Sequence, residues 1–294
     1  MVRPEVGASV GHRDCSGETV LVTGATSGVG REVALALARL GADVLVHGRD
    51  AARGESVASE LRALGSDAAF FRADFADIEA VDELADAVAE RADGLDVLVN
   101  NAGAHFDEGG LTELGVERTF HVNHLAPFRL TNCLRERGTL DGARVVTVAS
   151  EVHRRATLDL DAVTSVADYD GFEAYSRSKL ANVLFARELA RRDDALSSVS
   201  CHPGFVPSSG LWRNASLPVR AVMRVFSLVP RQFTFGRVDS AGSAAITPTF
   251  LAATGDHEDG AYYKDCKAVD PAPAATDDEL AADLWAWSAD RASR

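Results

Sequence analysis

Thr19-Val20-Leu21-Val22-Thr23-Gly24-Ala25-Thr26-Ser27-Gly28-Val29-Gly30 is the stretch on which the reading of this chain turns. Its first four residues form a short apolar strand that runs straight into a glycine-rich turn. A helix follows, with apolar residues at Val33, Leu37 and Leu40 and a stop at Gly41. Strand, glycine-rich turn and helix start are the parts of a pyrophosphate site, because the first-turn amides of a helix have no partner within it. Gly24 would permit the tight turn, Gly28 would let backbone amides approach the phosphates, and Gly30 would allow close helix–strand packing. A plain turn also uses glycine; the place of these glycines between a strand and a helix is what favours a nucleotide.

Outward from this stretch the alternation continues. Residues 44–46 read as a second strand, 51–64 as a helix, 68–72 as a third strand and 77–92 as a helix. Residues 96–99 form the fourth strand, 112–137 a long helix and 144–148 the fifth strand. A helix over 175–191 then leads to a sixth strand near 198–201. Strands alternating with helices imply a parallel sheet covered on both faces. No repeat or linker interrupts the 294 residues, so the reading is a single doubly wound α/β domain, with a mostly parallel sheet, over 18–294. Residues 1–17 read as a flexible, Gly- and charge-rich tail.

With 46% hydrophobic residues a large core is easily supplied, and a formal net charge of −14 argues against nucleic acid or an anionic membrane as the main partner. Cys15, Cys133, Cys201 and Cys266 are far apart and match neither a metal-ligand spacing nor a disulfide framework. Reduced thiols and no metal are the expectation. Residues 1–17 hold no signal-like apolar stretch, and no run approaches the ~20 apolar residues of a membrane span. We expect a soluble, cytoplasmic protein without a membrane anchor.

Two more stretches point to chemistry. The second strand ends in His47-Gly48-Arg49-Asp50, with glycine where an acid would hold the adenine ribose hydroxyls of NAD and an arginine directly after it. A guanidinium fork suits a 2′-phosphate, so NADP(H) is the preferred cofactor and NAD(H) the alternative. The other stretch is Tyr175-Ser176-Arg177-Ser178-Lys179, which opens an apolar helical run. Four residues apart on a helix, Tyr175 and Lys179 project from one face. An ammonium beside a phenol favours the phenolate and would tune the tyrosine as a proton donor and acceptor.

Taken together, the glycine pattern of Thr23–Gly30, Asn100-Asn101-Ala102-Gly103, Asn123, Ser150, Tyr175 with Lys179, and Pro203-Gly204 resemble the short-chain dehydrogenase/reductase family, a Rossmann fold, in its single-domain branch. Val122-Asn123-His124-Leu125, Ser178-Lys179-Leu180-Ala181-Asn182, Tyr262-Tyr263-Lys264-Asp265-Cys266-Lys267 and Leu284-Trp285 look like its retinol-dehydrogenase-like group. So does the 25-residue gap between Ser150 and Tyr175. The resemblance implies Asn123, Ser150, Tyr175 and Lys179 as catalytic residues. Tyr175 would be the general acid/base, Lys179 would bind the nicotinamide ribose, and Ser150 would bond the substrate oxygen. Gly24, Thr26, Ser27, Gly28, Val29 and Gly30 would cradle the cofactor together with Arg49. Asp74 would take the adenine amino group beside Phe75, while Asn101, Ala102 and Gly103 would line the adenosine side. Tyr175, Lys179, Pro203, Gly204, Val206 and Ser208 would meet the nicotinamide end. Pro127, four residues after Asn123, removes an amide and would leave the Asn123 carbonyl free for a relay water.

Between Gly204 and Gly236 the alternation breaks into an apolar segment that includes Phe205, Leu211, Trp212, Met223, Phe226 and Phe235. It reads as a lid over a lipophilic substrate, or as residues that pack against the sheet or a second subunit. His105 and Phe106, and less strongly His153 and Arg154, would border the pocket. A helix from about 276 to 290, with Leu280, Leu284 and Trp287 at helical spacing, would cover an edge of the sheet. The resemblance also implies a homodimer or homotetramer built through the helices before the fifth and sixth strands. The expected function is interconversion of a lipophilic ketone or aldehyde with its alcohol. A cofactor-binding sensor without turnover and an NAD-preferring alcohol dehydrogenase are the alternatives.

Overall fold

Val20 and Val22 of β1 (Thr19–Val22) pack on one side of the sheet and Leu21 on the other, as they do in every strand buried on both faces. The same alternation puts Val44 and Val46 of β2 (Asp43–Gly48) on the first side and Leu45 on the second. The computed structural model describes residues 2–206 and 239–293. After β3 (Ala69–Arg72), β4 (Val97–Asn100), β5 (Arg144–Val148) and β6 (Ser197–His202) come two short strands, β7 (Tyr262–Lys264) and β8 (Lys267–Ala268). The order is β3-β2-β1-β4-β5-β6-β7-β8, parallel throughout except for the β7–β8 pair. The direction of winding reverses between β1 and β4, which opens a crevice at the carboxyl ends of those strands.

One face carries α2 (Gly28–Arg39), α3 (Ala51–Ala63) and the helix Ile246–Thr254, packed on the valines of the central strands. The other carries α4 (Ile78–Arg91), α6 (Ala126–Glu136) and α7 (Gly171–Arg192), over Leu21, Leu45, Leu98 and Val145. Asp50, Asp77 and Asp170 cap α3, α4 and α7 by accepting bonds from first-turn amides.

Four expectations are corrected. Residues 2–17 are packed, not free. Pro4–Gly7 forms a short helix (α1) against α2 and Ile246–Thr254, and Val10 and Cys15 are buried. Glu5, also buried, pairs with Arg3 at 2.6 Å and Arg39 at 3.7 Å. The helix expected over 112–137 starts later. A Leu111–Glu117 bridge precedes α5 (Arg118–Phe120), a wide π-turn over His121–Leu125 and then α6. In that turn the Ala126 amide donates to the His121 carbonyl, and Pro127 sits in the first turn of α6, where its missing N–H costs little. The β7 and β8 strands were not anticipated; they are too short for a periodicity to register.

The fourth correction concerns the C-terminal helix, Asp278–Ala292, which lies on α7 and α6 and not on a sheet edge. Trp285 enters a cluster with Phe128 and Phe185, Trp287 meets Phe120 edge-on, and the guanidinium of Arg192 lies 4.9 Å from the Trp285 ring. Buried Leu284 completes the contact. These are the helices that the resemblance assigns to subunit contacts, so any such contact would have to include this added layer. Among the described residues no helix is long and apolar enough to cross a membrane.

Candidate active site

The Gly24–Gly30 loop lies at the mouth of the β1/β4 crevice. Gly24 and Gly28 adopt φ of 65° and 61°, the left-handed region that glycine enters without strain. Gly30 has no room for a side chain: a Cβ there would stand 2.3 Å from Asn101 Nδ2 and 2.8 Å from the Gly24 carbonyl. Asn101 in turn donates to the Thr23 carbonyl at 2.8 Å, tying the end of β4 to the loop. Gly30→Ala is therefore expected to displace Asn101, weaken cofactor binding by at least about tenfold and lower Tm by several degrees. Fluorescence titration and a thermal melt check both.

Unlike the neighbouring aspartate-capped helices, α2 has no side-chain cap at Ser27 and no acidic residue in its first turn. Its amides and positive dipole end face the cleft, which suits an anionic pyrophosphate. A single cleft joins this loop to Tyr175. Thr26, Ser27, Val29, Arg49, Asp74, Phe75, Asn101, Ala102 and Gly103 line one part of it, and Ser150, Lys179, Pro203, Gly204 and Val206 the other. The residues present thus fit a dinucleotide.

His47, not singled out from the sequence, supports the loop from below. It is buried, stacks on Phe75 with ring centroids 4.4 Å apart, and accepts from the Gly24 amide through Nδ1 at 3.4 Å. Its Nε2 donates to the Ala73 carbonyl at 3.2 Å, and burial pushes its pKa down to about 4, so it is neutral. Arg49 is half exposed and 3.6 Å from Asp74, not paired with Asp50, which instead holds Arg53 at 3.3 Å. The two residues expected at the adenosine end therefore neutralise each other.

At the other end, Tyr175 and Lys179 share one face of α7, as their spacing predicts. Lys179 Nζ donates to the Val148 carbonyl at 3.0 Å and lies 5.6 Å from the Tyr175 ring centre. Burial pushes the ammonium down to about 8. The tyrosine behaves differently from expectation. Burial holds its phenol well above the ordinary range, and a hydrogen bond to Ser150 opposes that only in part. Lys179 lies over the ring and spends a proton on a carbonyl, so the protein's own groups do not give the depressed phenol that the spacing suggested.

Asn123 is fully buried behind the cleft. Its Oδ1 accepts from the Ala104 amide at 2.7 Å, and its Nδ2 donates to the Ala104 carbonyl and to Ser178 Oγ, both at 2.9 Å. Asn123 thereby locks the Asn-Ala-Gly loop to α7. His105 touches the Tyr175 ring edge-on at 6.0 Å and Phe106 lies under the Arg118 guanidinium, and neither is part of the cleft lining. His153 is fully buried and Arg154 donates to the Asp270 carbonyl at 2.6 Å, so neither borders the pocket. Val122, Val152 and Phe172 do, and were missed because isolated apolar residues carry no spacing signal. Ser208 and most of the expected lid, residues 207–236, lie outside the described residues.

Comparison with known proteins agrees with this geometry. Residues 18–215 match the family described as short chain dehydrogenase. The chain belongs to that family. It is 38% identical to the Streptomyces sp. (strain C5) protein named "Putative daunorubicin C-13 ketoreductase DnrU", over 95% of this chain and 93% of the other. It is 37% identical to human retinol dehydrogenase 14, over 92% and 84%. Among solved structures, a short chain dehydrogenase from Burkholderia cenocepacia J2315 in complex with NADP superposes with a TM-score of 0.65, at 27% identity, covering 84% of this chain and 95% of that one. A Mycobacterium paratuberculosis protein reaches 0.74 at 29% identity, over 96% and 95%. The protein is therefore an NAD(P)-dependent oxidoreductase, of retinol-dehydrogenase-like sequence, that interconverts carbonyl compounds and alcohols.

Proposed function

We propose that this enzyme uses NADP(H) to interconvert a lipophilic ketone or aldehyde and its alcohol, with Tyr175 as the acid/base. The observation that carries the reading is the convergence of Ser150, Tyr175 and Lys179 at one end of a cleft whose other end is the glycine loop. The nicotinamide, when bound, supplies or accepts the hydride. Ser150 Oγ holds the substrate oxygen as charge develops on it, Tyr175 delivers the proton to that oxygen, and Lys179 orients the ribose and the tyrosine. A phenol held protonated by burial suits carbonyl reduction, because an alkoxide takes its proton readily. Val122, Val152, Phe172 and Phe205 line the substrate end of the cleft and support an apolar substrate, as do the names of the relatives.

Arg49, beside Gly48, supports selection of the 2′-phosphate, together with the NADP-bound family structure. Arg49→Ala is expected to raise the Kd for NADPH by about tenfold to a hundredfold and to leave NADH within about threefold. Asp74 has to exchange its arginine for the adenine in the same event. Following NADPH and NADH oxidation with benzaldehyde, acetophenone and all-trans-retinal tests the whole reading. Cofactor binding without turnover on any of the three would favour the sensor reading, and a preference for NADH would overturn the Arg49 argument.

A further inference from the structure

The residues directly after Ser150 are tied to a distant part of the chain by bonds that the proposed chemistry does not use. Ser150 opens a 3₁₀ turn, Glu151–Arg155, at the end of β5. Its carbonyl accepts twice from His153, from the backbone amide at 3.1 Å and from Nδ1 at 2.7 Å. His153 Nε2 accepts from the Ala272 amide at 3.0 Å. An amide can only donate, so Nε2 carries no proton; the ring is neutral and Nδ1–H points at Ser150. Burial, which pushes this histidine's pKa down, favours the same state. The ring also meets Tyr262 edge-on at 4.8 Å.

Glu151 makes the second tie. Its carboxylate accepts from the Tyr262 hydroxyl at 2.9 Å and from Lys264 Nζ at 3.1 Å, both on β7. Both anchors therefore come from Tyr262–Ala272, over a hundred residues downstream. This segment includes the Tyr-Tyr-Lys-Asp-Cys-Lys motif, for which the reaction has no other use.

We infer that His153 is a positioning residue for Ser150, and that Tyr262–Ala272 is the brace that holds it. This rests on the reading of Ser150 as the group that binds the substrate oxygen. A serine at a strand end would otherwise sample several backbone states. A bond that strengthens only as charge develops on the substrate oxygen requires the hydroxyl to be placed within about 0.5 Å beforehand. Neither His153 nor Glu151 lines the cleft; both act through the Ser150 backbone.

The test compares Ser150→Ala, His153→Phe, His153→Asn and Tyr262→Phe in the full chain, using NADPH and whichever of benzaldehyde, acetophenone and all-trans-retinal is turned over best. Ser150→Ala is expected to lower kcat by at least about a hundredfold. His153→Phe keeps the ring contact with Tyr262 but removes both bonds, and is expected to lower kcat by about tenfold to fiftyfold, with KM and NADPH Kd within about twofold. His153→Asn returns a donor near the Nδ1 position and is expected to recover most of that loss. Tyr262→Phe deletes one hydroxyl and keeps the buried ring, and is expected to lower kcat by about threefold to tenfold with Tm within a few degrees of wild type.

If Ser150→Ala keeps wild-type kcat, the reading of Ser150 fails and the brace fails with it. If Ser150→Ala is impaired while His153→Phe and Tyr262→Phe keep wild-type kcat, the brace alone is wrong. Equal losses in the Phe and Asn variants at position 153, or losses carried by KM or cofactor affinity, would reduce His153 to core filler. Should His153→Phe not fold, His153→Asn and Tyr262→Phe decide: wild-type kcat in Tyr262→Phe overturns the brace.

Discussion

Tyr175→Phe is expected to lower kcat by about a thousandfold while NADPH affinity stays within about twofold. The substitution removes one oxygen and keeps the ring, so the edge contact with His105 and the packing under Lys179 survive. What is lost is the phenolic proton donor that hydrogen-bonds Ser150 in the cleft, the group that delivers the proton under the proposed reading. Steady-state kinetics and a fluorescence titration separate the two effects. More than a tenth of wild-type kcat remaining would remove Tyr175 from the chemistry. The pH dependence should differ by direction. With the phenol held protonated by burial, carbonyl reduction should be nearly flat through the neutral range, and alcohol oxidation, which needs phenolate, should rise with pH.

Acidification is expected to unfold the protein well before ordinary carboxylates titrate. Burial pushes His47, His121 and His202 down to about 4 and His124 down to about 3. Unfolded, each titrates near 6.5. The folded pKa values lie below the unfolded ones, so the fold favours neutral imidazole. That stabilisation is complete above pH ~6.5, declines progressively as pH falls below it, and is gone once pH has passed the folded values. Each shift is on the order of 3 kcal/mol, and together they are comparable with the whole stability of a typical domain. Glu151, held down to about 2 by Lys264, Tyr262 and Arg154 against its own burial, adds a loss below pH ~4.5. Urea midpoints at pH 7.5, 6 and 5 should fall steeply. A flat series would mean that these histidines are solvated or already charged in the folded state.

His124 shows why such groups escape a reading of the sequence. It neighbours Asn123 in the π-turn, yet its Nε2 bonds to Ser288 Oγ at 2.9 Å, on the C-terminal helix, and its ring lies among Phe120, Phe128 and Phe185. His153 gave the opposite error, since nearness to Ser150 in sequence suggested a pocket residue and the fold made it a buried support. In both cases the partner is more than a hundred residues away, and no local pattern encodes it. Arg49 and Asp74 were each read for the cofactor, but only the fold shows that they meet.

The sequence alone determined the α/β alternation, the glycine loop and the Tyr175–Lys179 face. Each depends on short-range geometry: two-residue alternation in strands, 3.6 residues per helical turn, and the backbone freedom of glycine. The tertiary structure decided what those residues experience. It set the Tyr175 phenol high and not low, because burial outweighs the hydrogen bond to Ser150 while the Lys179 ammonium bonds elsewhere. It also placed the C-terminal helix on α6 and α7, packed residues 2–17, and joined β7 to the turn after Ser150. Desolvation and long-range hydrogen bonds depend on the whole packed chain, so only the folded molecule determines them.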